Sequence, residues 1–142
     1  MERRYTAIVL GKIETGETDR IYTLYTKEQG KVRAVAKGVR KPEARLASQL
    51  ETPVLSQVTV VGVRGLPKIA GAVLEEGFLS LRSDFDGLRR ALEALAFLER
   101  LVDLDEPDEE TFFLTVEYLQ LADMLSALKN EHSVRLVTKP SF

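Results

Sequence analysis

The spacing of apolar residues changes once along the chain, at Gly77, and no other feature constrains the fold as much. Before it, short β-prone runs alternate with Gly-bearing turns. After it, apolar residues recur about every 3.6 positions. A chain written this way folds strands first and helices second, the α+β pattern. The β-prone runs are residues 5–13, 19–26, 31–37, 53–63 and 68–74. The turns between them include Glu14–Thr18, the hairpin loop Lys27–Gly30 and Arg64–Pro67, and a helical turn is expected over Ala44–Leu50. Five short strands in about 75 residues fit a five-stranded antiparallel barrel of the OB type. In the fourth run Val54, Val58 and Val60 share a phase.

Two amphipathic helices are expected to follow. Ser83 or Asp84 caps the first, with Asp86 in its first turn and a stripe of Phe85, Leu88, Leu92, Leu95 and Leu98 or Val102. Asp103–Asp108 closes that helix and opens the second, whose stripe is Leu114, Tyr118, Leu121, Leu125 and Leu128, flanked by Phe112 and Val116. The expected organisation is a barrel over residues 1–80 and a helical hairpin over 81–142, packed on each other.

Charge divides along the same line. Residues 1–75 carry a net +5 and residues 76–142 a net −7, for an overall −2. Within the first part, residues 31–45 hold six of the twenty Lys and Arg side chains and one acid, Glu43. Lys31, Arg33 and Lys37 alternate with Val32, Ala34 and Ala36, so the cations share one face of a strand. Gly38 and Pro42 end the strand, and Arg40, Lys41 and Arg45 carry the charge into a loop. A localised cationic strip on a slightly acidic protein suits a polyanion. The expected phosphate contacts are Lys31, Arg33, Lys37, Arg40, Lys41 and Arg45, extended by Arg20, Arg64 and Lys68. The plain alternative for each is a solvated side chain on a sheet face. Tyr22 and Tyr25 lie three apart on the preceding strand and face opposite sides. Tyr25, in phase with Ile21, is expected in the core, and Tyr22 is the candidate for stacking on a base. Asp19 is expected to cap its turn or to pair with Arg20.

Several chemistries lack their residues. There is no Cys, and the lone His132 cannot begin a metal site, so no metal or cofactor is expected. The sequence holds neither a Gly-rich phosphate loop ending in Lys-Ser/Thr nor a nucleophile–base–orienter set, and an enzyme is not expected. No run approaches the about 18 apolar residues of a membrane span, and a cytoplasmic protein is the simplest reading. The acidic run Asp103–Glu110 reads as a solvated loop and helix start.

Ala7-Ile-Val-Leu10, Gly16-Glu-Thr-Asp-Arg-Ile21, Thr26, Gly30-Lys31, Ala36-Lys-Gly-Val-Arg-Lys41, Arg45 and Gly65-Leu-Pro67 appear in that order. This series, in its blocks and their spacing, resembles the N-terminal region of the RecO family of bacterial recombination mediators over about residues 1–80. The resemblance implies an OB fold followed by a helical domain. It implies binding of single- and double-stranded DNA, annealing of complementary strands, and work with RecR and the single-strand-binding protein SSB to load RecA. Two features depart from the family pattern. The chain has no Cys for the usual zinc-binding insertion, and it stops after two expected helices where the family continues with several more. A fragment, a truncated product or a reduced member is therefore expected, lacking the later helices on which docking of the SSB tail would depend. The competing expectation is a protein–protein adaptor, with the barrel as scaffold and the acidic helical hairpin as docking surface.

Overall fold

A computed structural model describes residues 1–41, 45–62 and 65–138, with side chains through His132. The strands are β1 (Glu2–Thr15), β2 (Asp19–Thr26), β3 (Gly30–Ala36), β4 (Leu55–Val61) and β5 (Lys68–Glu76). The helices are α1 (Leu46–Gln49), α2 (Leu79–Arg82), α3 (Phe85–Leu101) and α4 (Glu109–Thr138). The strands close into a barrel in the order β1-β2-β3-β5-β4.

The long β1 is what permits closure. Its first half pairs with β4 (Glu2↔Val61 to Ile8↔Leu55) and its second half with β2 (Ala7↔Thr26 to Thr15↔Asp19). A register shift between Val9 and Gly11 bends it from one neighbour to the other. The expectation of an all-antiparallel barrel is corrected at one seam, because β3 meets β5 in parallel at Val35↔Lys68. The reason is geometric: directions cannot alternate all the way round a ring of five strands, so one contact must be parallel.

Pleating sorts the side chains of β1 between two cores. Tyr5, Ala7 and Val9 face the barrel interior with Tyr22, Leu24, Val32, Ala34, Val54, Val58 and Val60. Ile8 and Leu10 face the other way, joining Tyr25 and Leu55 beneath Phe78, Leu81, Ala91, Leu95, Phe112 and Leu119 of the helical part. Both faces of β1 are buried over Ala7–Leu10, which is why its sequence is continuously apolar there. Arg82 fixes α2 to the barrel. Its guanidinium donates to the carbonyls of Gly77 and Glu51 at 2.7 Å and of Pro53 at 2.9 Å.

The expected stripe of α3 is met in part, with Leu95 buried and Leu98 and Val102 packed against the core, whereas that of α4 is out of phase. In α3 the buried residues are Gly87, Ala91 and Leu95, while Phe85 and Leu92 are exposed. Among the described side chains of α4, Phe112, Leu119 and Ser126 are buried, and the expected stripe of Leu114, Tyr118, Leu121, Leu125 and Leu128 is exposed. Both sides of α4 are apolar, so periodicity alone could not choose between them. Asp84 takes the N-cap position of α3, as expected. The helix α4 also runs past Leu128, through a segment of weak periodicity.

Candidate nucleic-acid interface

The alternation expected of β3 is present. Val32, Ala34 and Ala36 are buried, and Arg33 and the following Lys37 are exposed. Lys31 shares their phase but not their exposure, because α3 crosses the outer face of β3 at that end. Lys31 is 8% exposed. Its Nζ donates to the Glu99 carbonyl at 2.7 Å and lies 3.8 Å from Glu99 Oε1. Lys31 is therefore corrected from a phosphate contact to a fastening between barrel and helix. Arg33, beside it, is 3.7 Å from the same carboxylate and keeps 44% of its side chain exposed.

The loop after β3 is held against the β1–β2 turn. Asp19 Oδ1 accepts from the Gly38 N–H at 2.7 Å, and its other oxygen is 3.4 Å from Lys37 Nζ. The Arg40 N–H donates to the Thr18 carbonyl at 2.9 Å, and its guanidinium donates to the Gly16 carbonyl. Arg40 and Arg20 both lie 2.8 Å from the Glu14 carboxylate. Gly16 and Gly38 have positive φ, +60° and +66°, a region where a side chain is strained. Asp19 thus pairs with Lys37 and the loop backbone, and Arg20 pairs with Glu14 instead. The Gly38 N–H above all, then Lys37, holds the Asp19 carboxyl below its ordinary range against the opposing effect of burial. Burial also acts to raise Glu14, but the Arg20 hydrogen bond and the charges of Arg20, Arg40 and Lys12 outweigh it and lower its pKa.

This arrangement separates the cations by role. Arg20 and Arg40, with 19% and 25% of their side chains exposed, anchor the loop. Lys37 is 59% exposed, and Lys41 and Arg45 also face solvent. Lys68 is exposed at the start of β5, next to Val35 of β3. Glu43 and Arg64 lie outside the described residues. Tyr22 is corrected: it is 1% exposed, packed inside the barrel, and cannot stack on a base. Tyr25 is buried as expected, on the opposite side, with its ring centroid 6.2 Å from that of Phe112.

Two residues were missed by sequence reasoning. Glu99 sits on a helix in the acidic half, and nothing in its spacing points to β3. Arg3 does carry a signal, being in phase with Tyr5, Ala7 and Val9, so that it points to the mouth of the barrel.

A closed five-stranded barrel of this order, with a basic strand and a basic loop on one flank, is an OB-type domain. Residues 1–78 match the family model described as recombination protein O N terminal. The chain is 37% identical over 122 residues to the DNA repair protein RecO of Myxococcus xanthus, covering 85% of this chain and 50% of that one. To the DNA repair protein RecO of Shouchella clausii it is 37% identical over 123 residues, covering 86% and 46%. To that of Geobacter metallireducens it is 32% identical over 128 residues, covering 90% and 52%. The chain belongs to the RecO family. It spans about half the length of the curated relatives it matches.

Proposed function

We propose that this protein is a non-enzymatic DNA-binding component of bacterial recombination and repair, acting in the cytoplasm. It holds the sugar–phosphate backbone along the open end of β2–β3 and the loop that follows. The observation that carries this reading is the loop itself. Its main chain is tied to the barrel by Asp19 and Arg40, while Lys37, Lys41 and Arg45 stand in solvent. Holding the main chain beside these cations lowers the freedom lost when they meet a phosphate. Family membership supports the finer roles: binding of single and double strands, annealing by screening of their charge, and assistance to RecA loading with RecR and SSB. Among the described residues no helix is long and apolar enough to cross a membrane, and no cluster of three or more His, Cys, Asp or Glu is placed to hold a metal ion.

Fluorescence anisotropy of a labelled single-stranded oligonucleotide at several salt concentrations tests the reading. With Arg33, Lys37, Lys41 and Arg45 on about four phosphates, log affinity against log salt should fall with a slope of about −3, at about −0.7 per contact. Lys41→Glu should weaken binding about equally across sequences and flatten the slope by about one contact. Lys31→Met should leave affinity within about twofold, because that ammonium is already committed to Glu99. A slope near zero, or equal losses from the two variants, would reject this interface.

The adaptor reading keeps one specific observation. Phe113, Leu114, Leu121, Met124, Leu125 and Leu128 of α4 are all exposed, more apolar surface than a solvated helix usually shows. It predicts capture of a folded partner without oligonucleotide binding at physiological salt.

A further inference from the structure

A cleft of about 370 Å³ opens at the mouth of the barrel, between β3 and the start of β1. Its floor is apolar and belongs to the barrel core: Tyr5, Val32 and Val60. Arg3 and Arg33 stand on its rim. The Arg3 guanidinium lies 3.8 Å from Met1 Sδ and, among the described residues, pairs with no carboxylate. The Asp105 carboxylate on the rim accepts from Gln29 Nε2 at 3.5 Å.

The wall formed by β3 is a strand edge that is capped at both ends and open in the middle. At one end the Val35 N–H donates to the Pro67 carbonyl at 2.9 Å, and at the other the Lys31 carbonyl accepts from the Asp105 N–H at 2.9 Å. Strand alternation turns the N–H and C=O of Arg33, midway, to the same side. Arg33 thus presents one donor and one acceptor to the cleft, without a main-chain partner among the described residues. Lys31 and Val35 are about 13 Å apart along the strand. Leu66 and Leu104, 44% and 45% exposed, close the two ends of this gap.

An extended peptide adding to this edge would run into Pro67 at one end and Asp105 at the other. A small flat ligand with a donor and an acceptor on one edge meets no such obstacle. We propose that the cleft takes one unstacked base of a single-stranded nucleic acid, seated between Leu66 and Leu104 with its polar edge on the Arg33 main chain, while Arg3 holds an adjoining phosphate. The inference rests on the DNA-binding reading above and adds to it a place for a base where the expected aromatic, Tyr22, is buried. Every base offers donor and acceptor groups on an edge, so the site favours single strands over duplexes without choosing a sequence.

The test compares an octamer of deoxyadenylate with an abasic octamer of equal charge, by anisotropy and by amide NMR shifts of the intact chain. The deoxyadenylate octamer should bind about tenfold more tightly. It should shift the Leu66 and Leu104 amides together with that of Arg33, and the abasic octamer should shift only the phosphate contacts around Arg33, Lys37 and Lys41 and leave Leu66 and Leu104 in place. Leu66→Ala with Leu104→Ala should bring the two affinities to within about twofold while leaving that of the abasic octamer unchanged. Equal affinities in the unmodified chain, or Leu66 and Leu104 amides that do not move, overturn the base site and leave the phosphate interface standing. Absence of binding by either octamer at low salt overturns both. An apolar extended peptide that moves the Arg33 amide where the oligonucleotide does not makes the edge a strand-capture site and likewise overturns the proposal.

Discussion

At the scale of single residues, Gly30 is as constrained as any position in the chain. Its φ is +73°, and a Cβ built there would lie 2.1 Å from the Glu106 carbonyl oxygen and 2.5 Å from its carbon. Backbone cannot swing away as a flexible side chain can. The segment Leu104–Glu106 lies against the start of β3, where Leu104 bridges Lys31 and the Asp105 N–H meets the Lys31 carbonyl. Gly30→Ala should therefore destabilise the protein by more than about 2 kcal/mol, through both the left-handed φ and the overlap. Urea unfolding monitored by circular dichroism measures it, and a loss below about 0.5 kcal/mol would show that the close approach is not maintained in solution. The sequence marks Gly30 as a turn residue, which is correct. It cannot show that the turn is also the seat of a segment some 75 positions later.

At the scale of elements, α3 and α4 meet at a polar lock. Asp84, 7% exposed, accepts from Lys129 Nζ at 2.9 Å and from Ser126 Oγ at 2.9 Å. Gly87 leaves room for this carboxylate, since a Cβ there would lie 2.6 Å from Asp84 Oδ2. The Lys129 hydrogen bond, followed by that from Ser126, takes the Asp84 pKa from 3.8 to about 2. A depressed carboxyl contributes stability that is full above its unfolded pKa of 3.8 and is lost as pH falls from there through about 2. Asp84→Asn should lower the urea midpoint above about pH 5, and the gap from the unmodified protein should narrow between about pH 4 and pH 2. A gap of constant size over that range would remove the charge of Asp84 from the explanation. Ser126 also shows why the α4 stripe was misread. The face that packs carries a serine and an alanine, Ala122, while the exposed face carries four leucines, so counting apolar residues selects the wrong side.

At the scale of the whole molecule, the barrel and the helices share a core. Ile8, Leu10, Tyr25 and Leu55 from the strands are continuous with Phe78, Leu81, Ala91, Leu95, Phe112 and Leu119. Lys31 and Glu99 add a polar fastening at the same junction, and Arg82 adds another at the loop before β4. A boundary near residue 80 is clear in periodicity and in charge, yet neither side completes its burial alone. Thermal unfolding should therefore show one transition, with calorimetric and van't Hoff enthalpies agreeing. Two resolved transitions would mean that the barrel and the helices are independent units. The same junction governs the interface: α3 covers the Lys31 end of the β2–β3 face, leaving Arg33, Lys37 and the loop beyond as the open part.

Read alone, the sequence settles the five strands, the order of strands before helices, the shared phase of Val32, Ala34 and Ala36, and the family. These depend on local periodicity, on turn residues and on blocks held at fixed spacing. Only the closed fold decides which cations are free, that both Tyr22 and Tyr25 are shielded from water, and which side of α4 is buried. Those outcomes depend on what lies across from a residue, and Glu99 over Lys31, or the barrel interior around Tyr22, comes from distant chain brought close by closure of the ring.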